Sequence, residues 1–115
     1  MKSQSKLFVV VTTTVASKAK AKELANAIVD KRLAACVQYM GISSVYRWKG
    51  KVESAAEQLL LAKTTHSGAN RLIDFIRKKH SYELPEITIQ PISGGLAGYL
   101  NWIETETSIK KKKHN

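Results

Sequence analysis

The chain has 115 residues, of which 43% are hydrophobic and 24% are charged, and it carries a formal net charge of +10. This length and composition predict one globular domain with a core of modest size, and no apolar run is long enough to span a bilayer, so we expect no membrane partner. The single cysteine, Cys36, excludes an internal disulfide and fits a reducing compartment. Because the apolar run that follows Lys6 reaches Thr12 too soon for a secretory signal, we expect a cytoplasmic location.

Much of the positive charge lies at the C-terminal end. Lys110–Lys113 contribute four positive charges, and without them the net charge falls from +10 to +6. We expect residues 109–115 to form a disordered basic tail after a domain over residues 1–108. The remaining basic residues are mixed with acidic ones on helical segments, which favours a solubilising role over nucleic-acid binding.

The first two predicted elements are a strand and a helix. Leu7 to Thr14 is rich in β-branched and apolar residues, as expected for a strand that is buried on both faces. Ser17 is a candidate N-cap, and apolar residues recur at helical spacing from Lys18 to Lys31. These segments predict a buried strand followed by an amphipathic helix.

The next segment, Ala34 to Thr65, predicts one very long β-hairpin. Lys49-Gly50 forms a two-residue connection, because glycine accepts the positive φ that such turns require. Trp48 then pairs with Lys51, and side chains alternate between the two faces of the ribbon. This register places four side chains on one face: Tyr46, Trp48, Lys51 and Glu53.

The length of this hairpin has a consequence for assembly. At ~3.3 Å per residue, the arm from Ala34 to Trp48 spans roughly 50 Å, whereas a compact chain of this size has a diameter on the order of 35 Å. The hairpin therefore either kinks through a bulge at Gly41 or rests its tip on another molecule, and an isolated ribbon is marginal in water. We infer a homo-oligomer with these residues at the subunit interface: Tyr46, Trp48, Val52 and Glu53.

The remaining elements complete a familiar order. Apolar residues recur at helical spacing over Leu72–Ile76, and the basic residues of Arg77–His80 suit a helix C-terminus. Glu86–Ile92 predicts a strand in which Pro91 favours an edge position, and Ala97–Glu106 predicts a last helix. The order β-α-β-β-α-β-α predicts an α+β, ferredoxin-like fold with an antiparallel sheet and two helices on one face.

Five segments carry a family resemblance: Leu33–Cys36, Ser44–Glu53, Leu61–Thr64, His80–Glu86 and Tyr99–Ile103. In this order and spacing they resemble the CutA divalent-ion tolerance family, and the resemblance extends from about Val9 to Ile103. It implies a ferredoxin-like, PII-like homotrimer whose long hairpins pack on adjacent subunits. It also implies a role in tolerance of copper and other divalent metals, without an established enzymatic reaction.

His80 is the candidate metal ligand, since imidazole suits copper or zinc. The resemblance implies a paired histidine here and a cysteine near the end of the first strand in metal-binding members, but this chain has Lys79 and the run Thr12–Thr14. An ammonium group has no lone pair and a hydroxyl is a poor ligand for soft metals, which favours a helix-terminal role for His80. We expect no required cofactor, with Cu²⁺ or another divalent cation as the candidate ligand. Cys36 lies in an apolar strand, which favours a core role over a thiolate ligand.

Aromatic and charged residues mark a candidate ligand cleft: Tyr46, Trp48, Tyr82, Tyr99, Trp102, Glu53, Glu57 and Lys63. Aromatic walls with a few charges are typical of a small-molecule cleft and equally of a subunit interface, and the hairpin aromatics favour the interface. The resemblance implies that Lys63, Tyr82 and Glu83 line a cleft between subunits. The alternative function is PII-like sensing of a small anionic metabolite there.

Two further function classes are disfavoured by missing residues. RNA-recognition modules share this strand order, but they stack bases on aromatic residues of their central strands, and Glu57–Thr64 has none. We therefore expect no nucleic-acid partner. The chain also lacks a Gly-x-Ser-x-Gly elbow, a His-Glu-x-x-His motif, a paired-cysteine motif and a Walker A loop. We expect binding rather than catalysis.

Overall fold

The structure of the chain, a computed structural model, describes residues 7–108. Its elements are β1 (Phe8–Val15), α1 (Lys18–Asp30), β2 (Cys36–Trp48), β3 (Lys51–Thr65), a 3-10 turn (His66–Gly68), α2 (Ala69–Lys79), β4 (Ile87–Pro91) and α3 (Ala97–Thr107). This order confirms the predicted α+β, ferredoxin-like fold. The predicted tail over residues 109–115 lies outside the described residues.

The four strands form one antiparallel sheet in the order β2-β3-β1-β4. β1 lies between β3 and β4, and seven of its eight residues are buried. β4 lies at the edge, in agreement with Pro91, because proline has no N–H to donate to a second neighbour.

Helices cover both faces of the sheet, to different extents. α1 and α2 cover one face with a cluster that includes Ile28, Leu60, Leu72 and Ile76. The opposite face is covered only near the start of β1, where α3 contributes Leu100 and Ile103 to a smaller cluster with Phe8 and Ala35. Ser17 caps α1 as predicted, since its hydroxyl accepts a hydrogen bond from the Lys20 N–H at 3.2 Å.

The hairpin has the predicted register and no kink at Gly41. Pairing is continuous from Cys36 with Lys63 to Trp48 with Lys51, and Gly41 pairs in register with Gln58, so the predicted alternative of a bulge there is wrong. Lys49 and Gly50 both have positive φ, of 50° and 82°, as a tight hairpin turn requires. The regular pairing keeps the ribbon extended, because nothing in the register offsets the two strands.

The extended ribbon gives the molecule its shape. The longest dimension is 50 Å and the radius of gyration is 15.4 Å, compared with about 13 Å for a compact chain of this size. At the tip, Val45, Val52 and Tyr46 are 72%, 63% and 45% exposed. Within residues 7–108, no helix has the length and apolar character needed to cross a bilayer.

Candidate functional site

The loop between α2 and β4 is fixed to the sheet through His80. The Nε2 atom of His80 lies 2.7 Å from the backbone oxygen of Thr14, and its Nδ1 atom accepts a hydrogen bond from the Tyr82 N–H at 3.2 Å. Because a carbonyl oxygen only accepts, Nε2 carries the proton and Nδ1 uses its lone pair on Tyr82. The His80 ring therefore joins the end of β1 to the start of the loop.

Tyr82 extends this connection to the hairpin. Its hydroxyl donates a hydrogen bond to Oε2 of Glu57 on β3 at 2.8 Å. Burial, together with the hydrogen bond and the negative charge of Glu57, raises the pKa of the Tyr82 phenol to about 12. The phenol stays protonated at neutral pH and holds the loop against the ribbon.

The loop and the ribbon enclose a cleft of about 610 Å³, which we call the hairpin cleft. Its lining residues are Thr14, Ser44, Val45, Tyr46, Trp48, Glu57, Tyr82, Glu83, Leu84 and Glu86. Three of the nine acidic residues of the chain are among them, and within the described residues no Lys, Arg or His side chain lines the cleft. The hairpin cleft is thus an acidic, aromatic concavity on a strongly basic chain.

A lysine ammonium lies at the rim of the hairpin cleft. Lys49 Nζ is 3.6 Å from Oε1 of Glu83 and 5.5 Å from the centroid of the Trp48 ring. The ammonium thus contacts a carboxylate and an aromatic face at the same time, which is an ion pair combined with a cation–π contact. Both charged side chains are largely exposed, at 67% and 72%, so this contact is a weak one.

The structure brings together most of the predicted site residues, but not all of them. Tyr46, Trp48, Tyr82 and Glu83 line the same cleft. Lys63 lies elsewhere on β3, where it pairs with Cys36 and its Nζ atom is 5.6 Å from the centroid of the Tyr99 ring. Within one chain, Lys63 does not line the cleft that contains Tyr82.

The other predicted residues lie on the ribbon and on α3, outside the lining of the hairpin cleft. Glu53 pairs with Tyr46 and shares its face of the ribbon, whereas Val52 pairs with Arg47 and points to the opposite face. Tyr99 and Trp102 stack on each other on α3, with ring centroids 5.4 Å apart, and do not line the cleft. The interface and ligand roles of all these residues stay predictions.

Five lining residues were absent from the sequence-based prediction of the cleft: Thr14, Ser44, Val45, Leu84 and Glu86. Thr14 is placed there by the end of β1, and Glu86 by the path of the loop. A loop has no periodic pattern from which its path can be predicted. The signal that was available is the acidic composition of Tyr82–Glu86, which holds two carboxylates in five residues.

The predicted metal ligand does not present a free lone pair. His80 uses Nδ1 on Tyr82, Lys79 places its ammonium 5.6 Å from the Phe75 ring centroid, and Thr13 is buried in the core. Within residues 7–108, no three His, Cys, Asp or Glu side chains converge on a point where they could hold a metal ion. The residues at this position do not fit a soft metal such as copper.

The chain is similar in sequence to known proteins over most of its length. Residues 9–106 match the sequence model of the family described as CutA1 divalent ion tolerance protein. The chain is 44% identical over 100 residues to the Arabidopsis thaliana protein named Protein CutA, chloroplastic, covering 86% of this chain and 55% of that protein. It is 42% identical over 99 residues to the Thermus thermophilus divalent-cation tolerance protein CutA, covering 85% and 96%. The chain spans about half the length of the plant and mammalian relatives that it matches.

Solved structures show the same fold. CutA from Synechococcus elongatus superposes with a TM-score of 0.87 at 32% identity, covering 90% of this chain and 92% of that one. A Nostoc protein described as the PII-like protein CutA in apo form gives a TM-score of 0.83 at 30% identity, covering 87% and 97%. The overall architecture is therefore that of CutA and PII-like proteins.

The comparisons overturn the predicted cytoplasmic location. The Arabidopsis and rice relatives are named chloroplastic, and a similar Archaeoglobus fulgidus structure, 33% identical, is described as a periplasmic divalent cation tolerance protein. The prediction depended on the apolar run after Lys6, which is too short for a secretory signal, and on the lone cysteine, Cys36. A single cysteine has no intramolecular partner in any redox compartment, so it does not indicate which compartment the protein occupies.

Proposed function

Because this chain belongs to the CutA1 divalent ion tolerance family, we propose that it acts in the response to divalent metal ions as a homotrimeric, PII-like module that binds a ligand rather than catalysing a reaction. The observation that carries the proposal is the exposed tip of the hairpin. Val45 and Val52 are 72% and 63% exposed on a ribbon that extends the molecule to 50 Å. Such a ribbon is marginal alone in water, which favours contact with sister subunits.

The chemistry of the hairpin cleft supports binding over catalysis. A general base must have a lone pair available near the reacting group. His80 uses its lone pair on the Tyr82 N–H, and the phenol of Tyr82, with a pKa of about 12, keeps its proton and donates a hydrogen bond to Glu57. These groups hold the loop in place, and that role leaves them poorly suited to proton transfer.

Oligomer mass tests the assembly part of the proposal. Static light scattering on the purified chain is expected to give a mass of three times 12.8 kDa at micromolar concentration. A stable single-chain species at that concentration would contradict the proposal, because the tip residues would then have no sister subunit to cover them.

Calorimetric titration with Cu²⁺ tests whether His80 is a metal ligand. The hydrogen bonds of the His80 ring predict equal Cu²⁺ uptake by the wild type and by His80→Ala, since a metal at Nδ1 would have to displace the Tyr82 N–H. His66→Ala, in the exposed 3-10 turn, is the matched control. Loss of Cu²⁺ uptake in His80→Ala alone would establish His80 as the ligand and overturn this assignment.

The alternative of an anionic metabolite is not favoured by the cleft of a single chain. Glu57, Glu83 and Glu86 would repel an anion there. The lysine predicted to contribute a positive charge, Lys63, lies beside Tyr99 instead. An anion would need basic side chains from another subunit.

A further inference from the structure

The lining of the hairpin cleft combines two features, aromatic rings and carboxylates. Three of its walls are the aromatic rings of Tyr46, Trp48 and Tyr82, and three of its lining residues are carboxylates. Its volume of about 610 Å³ is in the range of small-molecule sites. Aromatic faces attract apolar groups and cations, and carboxylates attract cations, so a positively charged organic molecule satisfies both.

The chain itself shows how an ammonium group is held at this cleft. The Lys49 ammonium lies 3.6 Å from a Glu83 carboxylate oxygen and 5.5 Å from the Trp48 ring centroid. Lys49 lies in the hairpin turn, directly after the lining residue Trp48. Its ammonium pairs with the lining residue Glu83, while Glu86 makes no ion pair within the described residues.

The arrangement of the carboxylates distinguishes organic from inorganic cations. A hard divalent ion needs several oxygen ligands around one point, and among residues 7–108 no three acidic, His or Cys side chains converge in that way. Carboxylates that line a cleft at separate points suit a ligand whose charges are themselves separated. The aromatic walls add nothing for a hydrated metal ion, whereas they bury an apolar chain.

We propose that the hairpin cleft binds an organic cation, a small molecule that carries one or two ammonium groups on an apolar body, and that the ligand displaces the Lys49 ammonium from the rim. This deepens the proposed function, because it names the ligand class of the module. The lining residues all belong to one chain, and two of them, Tyr46 and Trp48, are also predicted at the subunit interface, so the bound ligand would lie beside a sister subunit.

Three probes of matched size or charge test the ligand class by calorimetry on the full-length protein. Hexane-1,6-diamine has both the charge and the apolar body, hexane-1,6-diol has the body alone, and Mg²⁺ has the charge alone. The diamine is expected to bind, with no detectable heat from the diol or Mg²⁺. Absence of diamine binding, equal binding of the diol, or equal binding of Mg²⁺ would each overturn the proposal.

Two substitutions with opposite expected signs locate the diamine. Glu86→Gln removes an attracting carboxylate and is expected to weaken binding about fivefold, the scale of one exposed charge contact. Lys49→Gln removes the competing ammonium and is expected to strengthen binding about threefold. The exposed controls Glu104→Gln and Lys22→Gln make the same changes of charge away from the cleft and should leave the dissociation constant unchanged.

The outcomes separate this inference from the proposed function. Control variants that shift the diamine affinity as much as Glu86→Gln would show a general charge effect and overturn the site. Light scattering on the same samples reports the assembly. A trimer that binds no diamine refutes only the ligand class, whereas a single-chain species that binds diamine refutes only the assembly.

Discussion

The base and the tip of the β2–β3 hairpin share one backbone pattern but differ in their surroundings. At the base, Leu60 and Ala62 are each 1% exposed, because α1 and α2 cover that face of the sheet. At the tip, Val45 and Val52 point to the same face in the same unbroken register, yet they are 72% and 63% exposed. Backbone pairing therefore sets the shape of the ribbon, while side-chain burial decides which part of it one chain can stabilise.

The comparison predicts that the base is stabilised within one chain. Leu60→Ala removes a side chain from the core and is expected to lower the free energy of unfolding by about 2–5 kcal/mol. Urea unfolding at two chain concentrations should give the same loss at both, because the contacts of Leu60 are internal. The tip control, Val52→Ala, is expected to show a smaller loss that grows with chain concentration. If the loss of unfolding free energy for Leu60→Ala depended on chain concentration, the base would also be stabilised by contacts between chains.

The converse prediction concerns the tip. Val52→Asp places a charge where a neighbouring chain is expected to pack, and it should raise the dissociation constant of the oligomer about 30-fold, which corresponds to ~2 kcal/mol. Light scattering over a dilution series measures the shift. Val29→Asp makes the same change on α1, where Val29 is 42% exposed, and should leave the mass unchanged. Equal effects of the two variants on the mass would show that the tip has no specific role in the subunit interface.

Two threonines on β1, beside the base of the hairpin, differ in whether their buried hydroxyl has a hydrogen-bond partner. The Thr13 hydroxyl is buried and has no hydrogen-bond partner among the described residues, whereas the Thr12 hydroxyl donates to Oε1 of Gln90 at 2.8 Å. Thr13→Val is expected to stabilise the fold by about 1 kcal/mol, and Thr12→Val to destabilise it by about 1 kcal/mol. Thermal unfolding measures both. Destabilisation by both variants would show that the Thr13 hydroxyl has a hydrogen-bond partner in solution.

The smallest expected effect concerns Tyr82, whose hydroxyl contacts Glu57 on β3 between the base and the tip of the hairpin. Its pKa of about 12 is raised above the usual value of 10.0, so the folded state holds this proton more tightly than the unfolded state. The resulting stability is present below pH 10 and is lost as the pH rises through 12. Absorbance at 295 nm should show a late tyrosine ionisation that Tyr82→Phe removes. Glu57→Gln should move that ionisation to lower pH, since the carboxylate raises the pKa. An unchanged profile in both variants would assign the late phase to another tyrosine.

The sequence predicted the hairpin in detail because the turn leaves little freedom. Once Lys49 and Gly50 occupy a two-residue turn, every later pair follows from strand geometry, and the register down to Cys36 and Lys63 is confirmed. The predicted alternative of a bulge at Gly41 was wrong, because the length of a hairpin arm alone does not indicate whether the ribbon bends or protrudes. In the structure, a Cβ atom at Gly41 would lie 3.3 Å from Nε2 of Gln58, so this glycine leaves room for the side chain across the ribbon.

The hairpin cleft was only partly predictable, for a reason of distance along the chain. Tyr82 and Glu83 were predicted from the family resemblance, and the structure places them at the cleft. Glu86 was missed, because the path of its loop is set by the contact of His80 with Thr14 at the end of β1, which joins residues 66 apart in sequence. Likewise, α3 was predicted as a helix, but a helix with apolar residues on two sides does not indicate which side faces the sheet.

Quenching of Trp48 fluorescence tests most directly whether the hairpin tip rests on a sister subunit. In a Trp102→Phe background, whose mass by light scattering should match the wild type, Trp48 is the only tryptophan. We predict that acrylamide quenches Trp48 weakly at micromolar concentration, and that quenching rises on dilution as the oligomer dissociates. Quenching of Trp48 that is the same at every concentration, while the mass falls, would contradict the claim.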